Sequence, residues 1–295
     1  MIFTEESTRT ALRVSAVSIL VNLVLSAGKL AAGVLAHSGA MVSDAVHSAS
    51  DVFSTFVVIL GVKLSGKEAD RDHPYGHERL ECVAAIVLSV VLLITGLAIG
   101  WEGVGKIIHA GDAAPVVPGI PALIAAAVSI LVKEALFWYT RHHARSIDSP
   151  ALMADAWHHR SDALSSVGAL VGIAGARMGF PVLDPLASVV ICIFIGKAAF
   201  DIFRDAIDKM VDHRCDEETE TAIRENVTAH PGVRTVDLLR TREFGSRIYV
   251  ELEIGVDGSL PLVEAHAIAE QVHDDIEAAF PKVKHIMVHL NPVSA

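Results

Sequence analysis

Asp44-Ala45-Val46-His47-Ser48-Ala49-Ser50-Asp51 and Asp155-Ala156-Trp157-His158-His159-Arg160-Ser161-Asp162 are near-copies of one phrase, D-A-x-H-x-x-S-D, set far apart in the chain. In each copy the His stands four residues before the final Asp. On a helix that spacing stacks the two side chains one turn apart on one face, and the leading Asp joins them there. Both copies lie in apolar surroundings, where an ionised carboxylate costs roughly 2.5–3.5 kcal/mol even on the gentler insertion scales. A partner or a cation normally offsets such a cost, and here it arises twice. One His and one Asp from each of two helices make the four N/O ligands that a tetrahedral Zn²⁺ takes. A lone His or Asp reads equally well as hydrogen-bonding glue between helices. The repeated pair favours a cation site made of His47, Asp51, His158 and Asp162. Asp44 and Asp155 are expected beside it as access or supporting groups, with His159 and Arg160 off the shared face.

Working outward, the chain is too apolar for an ordinary soluble protein: 52% of its 295 residues are hydrophobic and its mean hydropathy is +0.47. Stretches long enough to span a bilayer (about 20 residues) fall at 12–35, 39–62, 82–108, 119–140, 152–176 and 184–207. They are separated by a short turn at 33–39, a charged stretch at 65–78, a Pro/Gly-rich stretch at 111–118, a charged stretch at 141–150 and a tight turn at Gly179-Phe180-Pro181. The start is polar and the apolar run after it is long, so the first span is expected to stay in the membrane. Six spans put both termini on one side. Lys63, Lys67, Arg71, Arg79, Arg141 and Arg145 follow spans two and four, which by the positive-inside rule makes both termini cytoplasmic. Lys133 and Glu134 in span four are expected to pair locally or to lie near an interface.

Net charge is −11 and no basic run suggests nucleic acid. Cys82, Cys192 and Cys215 form no CxxC pair, which implies neither a disulfide framework nor a thiolate zinc site. After about residue 208 the composition becomes that of a soluble domain. A helix is expected over 217–229, strands over 233–243 and 247–256, a helix over 262–280 and a strand over 285–290. The expected fold is therefore an all-α bundle of six transmembrane helices (residues 1–208) followed by an α+β, ferredoxin-like αββαβ domain (residues 209–295).

Two further groups carry candidate ligands. Asp70-Arg71-Asp72-His73-Pro74-Tyr75-Gly76-His77 places Asp70, His73 and His77 in one loop. They converge on a cation or belong to a solvated polar loop; spacing alone leaves both open. In the C-terminal domain Asp237, Glu251, His266 and His289 are scattered over strands and a helix, with no local spacing that marks a site.

Taken together, the paired His-x3-Asp motifs in spans two and five, the His-Pro-Tyr-Gly-His loop and the αββαβ tail resemble the cation diffusion facilitators, in particular their bacterial zinc/iron exporter branch. The resemblance covers nearly the whole chain. It implies that His47, Asp51, His158 and Asp162 form the transport site and that Asp70, His73 and His77 form a loop site. It places Asp237, Glu251, His266 and His289 where the family's tail binds metal at the dimer interface. There the sequence departs from the family's zinc exporters, with Asp237 and Glu251 in place of histidines and Asn291 in place of a bridging aspartate. The resemblance also implies a homodimer locked by a charge pair at Arg79 and Asp212.

The function expected is divalent cation/proton antiport, exporting Zn²⁺ (or Fe²⁺, Cd²⁺, Co²⁺ or Mn²⁺) across the inner (plasma) membrane by alternating access. Metal binds only the deprotonated ligands, so protons compete with it. The ion is cargo and a candidate regulator, and no cofactor is expected. The chain is read as a secondary transporter and not an enzyme: no HExxH helix marks an intramembrane metalloenzyme and no GK[ST] loop marks an ATP-driven pump. The alternative is a metal-responsive scaffold or sensor of the same fold without transport.

Overall fold

A computed structural model describes residues 2–35, 39–108, 120–177 and 183–294. Two compact units emerge, Thr4–Ala206 and Ile207–Ala295, the latter joined by Met1–Phe3. The helical part contains, among the described residues, α1 (Ile2–Leu35), α2 (Gly39–Ser65), α3 (Arg79–Ile108), α4 (Ile120–Ser146), α5 (Pro150–Arg177) and α6 (Leu183–Met210). Each covers one of the expected apolar stretches. The turns expected at 111–118 and at Gly179-Phe180-Pro181 lie outside the described residues.

Two boundaries differ from expectation: α1 already begins at Ile2, in the polar start ahead of the first apolar stretch, and α4 runs on past residue 140. The charged stretch that begins at Arg141 is helical as far as Ser146, and the break before α5 is confined to the next three residues. Ala144 and the arginines Arg141 and Arg145 are good helix formers and carry the helix on. Ser149 and Pro150 supply the stop and the restart: the Ser149 hydroxyl oxygen accepts from the Leu152 N–H at 3.2 Å, with Pro150 in the first helical position.

This unit buries many polar side chains beside its apolar core and exposes many large apolar ones. Ser15, Ser18, Asn22, Asp51, Thr55, Glu81, Lys133, Asp155, His158, His159 and Asp162 are all buried. Leu20, Val24, Phe53, Ile94, Trp101, Leu131, Ile193 and Phe194 are exposed. A water-soluble bundle distributes these residue types the other way round, whereas a bundle in lipid gains nothing by hiding its leucines. Among the described residues, two segments, Glu6–Ala31 and Arg79–Gly105, are long and apolar enough by length and composition to cross a membrane. Among the other helices, α2 and α5 carry the Asp/His phrases and α4 carries Lys133 and Glu134. The apolar core joins Val14, Val58, Leu88, Leu92, Leu152 and Ile195. Close helix contact depends on glycine at Gly100, where a Cβ would come within 2.8 Å of the Cys192 Cβ.

The second unit is α7 (Glu217–Thr228), β1 (Thr235–Phe244), β2 (Arg247–Asp257), α8 (Leu262–Ala279) and β3 (Val283–Val293), the αββαβ order expected. Asp216 caps α7, accepting the Thr219 N–H at 2.8 Å and the Thr219 hydroxyl at 2.7 Å. Those two donors hold its carboxyl below its ordinary pKa. Gly245, at φ 64°, turns β1 back onto β2. The sheet has three strands in the order β1-β2-β3, antiparallel between β1 and β2 and parallel between β2 and β3. One face packs Val250, Leu252, Ile254 and Ile286 against Ile223, Val227, Val272 and Ile276 of the helices. Glu251, His289 and Asp237 are exposed.

Candidate functional site

Asp51 lies in the middle turns of α2, Lys133 in those of α4 and Asp162 in those of α5. A residue there is about a dozen positions, and so about 18 Å, from either helix end. At that depth the side chains meet. Asp51, His158 and Asp162 each offer one ligand atom, and these atoms lie within 4.8 Å of one another. His158 Nε2 is 3.5 Å from Asp51 Oδ1 and 3.4 Å from the Ser54 hydroxyl. The four-residue spacing expected to put His158 and Asp162 on one face does so.

His47 stands one turn before Asp51 on α2, but its side chain lies outside the described residues, as does that of Asp44. Asp155 sits in an adjoining layer rather than in the group itself. It is fully buried, accepts a hydrogen bond from the Thr55 hydroxyl at 3.2 Å, and lies 3.5 Å from His159 Nε2. His159 thus faces Asp155, and Arg160 turns away to stack over the Phe137 ring at 4.4 Å.

Lys133 corrects the sequence reading. Its ammonium donates to Asp51 Oδ2 at 2.6 Å and to Asp162 Oδ2 at 2.9 Å, and its side chain is 2% exposed. It does not pair with Glu134, because successive helical residues point about 100° apart. Glu134 instead accepts from the Trp138 indole at 3.0 Å and lies 3.6 Å from Arg160. The signal was present in the sequence: a lysine midway along an apolar helix needs an anion, and two aspartates on neighbouring spans needed a cation.

The loop residues also meet. Asp70 accepts from Lys67 at 2.9 Å and from the His73 N–H at 2.8 Å, lies 3.2 Å from His73 Nδ1, and is 3.4 Å from His77 Nε2. The Lys67 ammonium, followed by the His73 N–H, holds its carboxyl well below the usual carboxylate range. His77 Nδ1 faces the Glu68 carbonyl at 3.1 Å. A carbonyl only accepts, so Nδ1 carries a proton, and in the neutral ring Nε2 turns a lone pair toward the carboxylate. Two acceptors facing each other suit a cation between them. Gly76, at φ 101°, makes the bend that brings His77 back.

In the tail Asp237, Glu251, His266 and His289 do not form a cluster at ligand distance within one chain, among the described residues. Glu251 pairs in register with Met287 and Glu253 pairs with His289. Asp237 sits at the β1 bulge and accepts from the Asn291 amide at 2.9 Å, and the same amide reaches Glu253 at 3.3 Å. That amide holds the Asp237 carboxyl below its ordinary pKa. His266 is exposed on α8 and lies 3.5 Å from Glu270. The clustered tail groups are instead His273, Asp274 and Glu277, on the outer surface of α8. Arg79 is the first residue of α3; Asp212, at φ 63°, lies 3.9 Å from Arg242.

Residues 15–211 match the cation efflux transmembrane domain, and residues 215–293 match the cytoplasmic domain of cation efflux proteins. The chain is 35% identical to metal tolerance protein C1 of Arabidopsis thaliana over 280 residues, which is 91% of this chain but 59% of that relative's length. It is 33% identical to the magnetosome protein MamB of Magnetospira sp. (strain QH-2), covering 94% of this chain and 93% of the relative. With the manganese efflux system protein MneP of Bacillus subtilis (strain 168) it shares 28% identity, over 95% of each chain. The chain belongs to the cation efflux (cation diffusion facilitator) family of membrane metal-cation transporters, with a transmembrane domain followed by a cytoplasmic one.

Proposed function

We propose that this protein is a divalent-metal/proton antiporter that exports Zn²⁺ from the cytoplasm through the group Asp51, His158 and Asp162, with His47 as fourth ligand. The observation that carries the reading is the meeting of the buried Asp51, His158 and Asp162 side chains in the middle of α2 and α5. They come from two helices whose relative tilt opens or closes the site. Metal takes the deprotonated carboxylates and imidazoles, and protons from the far side displace it, so one set of ligands serves both ions. The buried polar groups and the exposed apolar side chains of α1–α6 support six crossings. The basic residues after α2 and at the end of α4 support cytoplasmic termini. The match of the tail to the family's cytoplasmic domain supports a homodimer, with Arg79 and Asp212 as its charge lock. Asp70, His73 and His77 form a second metal site on the cytoplasmic side.

Imidazole nitrogens favour zinc, while the two carboxylates leave room for Mn²⁺. A relative named for manganese efflux makes that ion the one to test against zinc. The test is metal flux into sealed proteoliposomes under a pH gradient, with Zn²⁺, Mn²⁺, Fe²⁺ and Cd²⁺, beside Asp51→Ala. Gradient-driven flux abolished by the substitution is expected. A folded, dimeric protein that moves none of the four ions would overturn the reading.

A further inference from the structure

Among the described residues, the group built from α2 and α5 also holds a cation of its own, supplied by a third helix. Lys133 is nine-tenths or more buried, and its ammonium touches one oxygen of Asp51 and one of Asp162, the two carboxylates of the site. A divalent ion bound by the same oxygens would stand about 2.0–2.2 Å from each. That position is within contact distance of the ammonium, so the two cations contend for one place. Lys suits a part that must leave: its ammonium is a point charge on a flexible four-carbon stem, with no fixed fork to hold two oxygens at once.

We propose that Lys133 is a tethered counter-cation of the transport site, which a divalent ion must displace from Asp51 and Asp162 and which speeds release of that ion by returning to them. The inference rests on the reading of Asp51, His158 and Asp162 as the transport site. It makes Lys133 a determinant of affinity and turnover. Without it the site's carboxylates would hold metal more tightly and release it more slowly. An arginine in its place would bind both carboxylates through its planar fork and oppose metal entry.

Zn²⁺ binding to the full-length protein in nanodiscs, by chelator competition at fixed pH, tests the proposal. The Asp51→Ala protein serves as the blank, so that only the site's binding is counted. Relative to wild type, Lys133→Met is expected to bind about tenfold more tightly and Lys133→Arg about tenfold more weakly, the order set by the charge and geometry of the competitor. In proteoliposomes Lys133→Met is expected to lower KM and kcat together, a signature that a merely structural lysine does not give. Should Lys133→Met fail to fold, Lys133→Arg decides by itself. Should neither fold, reductive methylation of Lys133 in the wild type is expected to quicken when Zn²⁺ is added. A folded Lys133→Met with unchanged or weaker binding overturns the proposal while leaving the site intact. So does a folded Lys133→Arg that matches wild type, or a methylation rate indifferent to Zn²⁺. Absence of any Asp51-dependent binding in the wild type overturns the site itself, and the proposal with it.

Discussion

Replacing Lys133 with methionine changes the charge of the buried group in a way that can be worked through. Asp51, Asp162 and Lys133, counted by themselves, sum to −1. Lys133→Met leaves two carboxylates at −2, whereas Asp162→Asn leaves a neutral Lys–Asp pair. Over the 2.9 Å from Lys133 to Asp162 the gross attraction is 332/(20 × 2.9), about 6 kcal/mol at an effective dielectric of 20. Desolvation of each ion offsets several kcal/mol of that. Breaking one side of such a buried arrangement then costs about 3–5 kcal/mol, and Lys133→Met should fall there. Asp162→Asn, which leaves Lys133 paired with Asp51, should cost clearly less. The double substitution should recover part of the lysine's cost, with a coupling of roughly 1–3 kcal/mol. Reversible unfolding in mixed micelles, without divalent metal, gives all four stabilities. Added Zn²⁺ should restore much of the loss in Lys133→Met, because a ligand that binds only the folded state stabilises it by mass action. A Lys133→Met protein as stable as wild type, or a cycle that closes with no coupling, would refute the account of the triad.

Other outcomes follow from single contacts. Ser149→Ala removes the α5 cap and the hydrogen bond to Glu81; a loss of about 0.5–2 kcal/mol is expected, read in the same unfolding assay. Asp216→Ala should speed hydrogen exchange in the first turn of α7. Because folding lowers the Asp216 pKa, its contribution is fully present above the unfolded value of about 3.9 and fades as pH falls through the lower folded value. Wild type and Asp216→Ala should therefore converge in acid. Asn291→Asp would set a third carboxylate beside Asp237 and Glu253; the tail should lose stability at neutral pH and regain it with a divalent ion, whereas equal thermal transitions with and without metal would count against that.

Much of this arrangement was legible because it follows from helical repetition. A four-residue spacing of His158 and Asp162 fixes their common face wherever the helix goes, and an apolar run of fixed length fixes the helix. Lys133 was not legible in the same way. Its partners lie 82 and 29 residues away, and no local period reports which spans become neighbours. The tail shows the same boundary. Its αββαβ order can be read from alternation and turns, but the bulge between Val236 and Leu238 cannot, and that bulge decides that Asp237 meets Asn291. Helix limits failed at the start of α1 and at 141–146, where polar and charged residues that read as lying outside a span continue the helix.

The tie between Ser149 and Glu81 has a mechanical consequence. It fastens the residue that caps α5 to the first turn of α3, so a tilt of α5 would pivot about that end. Asp162 lies about 18 Å along the helix from it. A swing of roughly 10° about the pivot carries its carboxylate about 3 Å, while metal–ligand bonds tolerate only about 0.2 Å. If the site holds an ion as proposed, opening its grip calls for no large rearrangement of the bundle. A tilt within the ordinary range of packed helices is enough to take it apart.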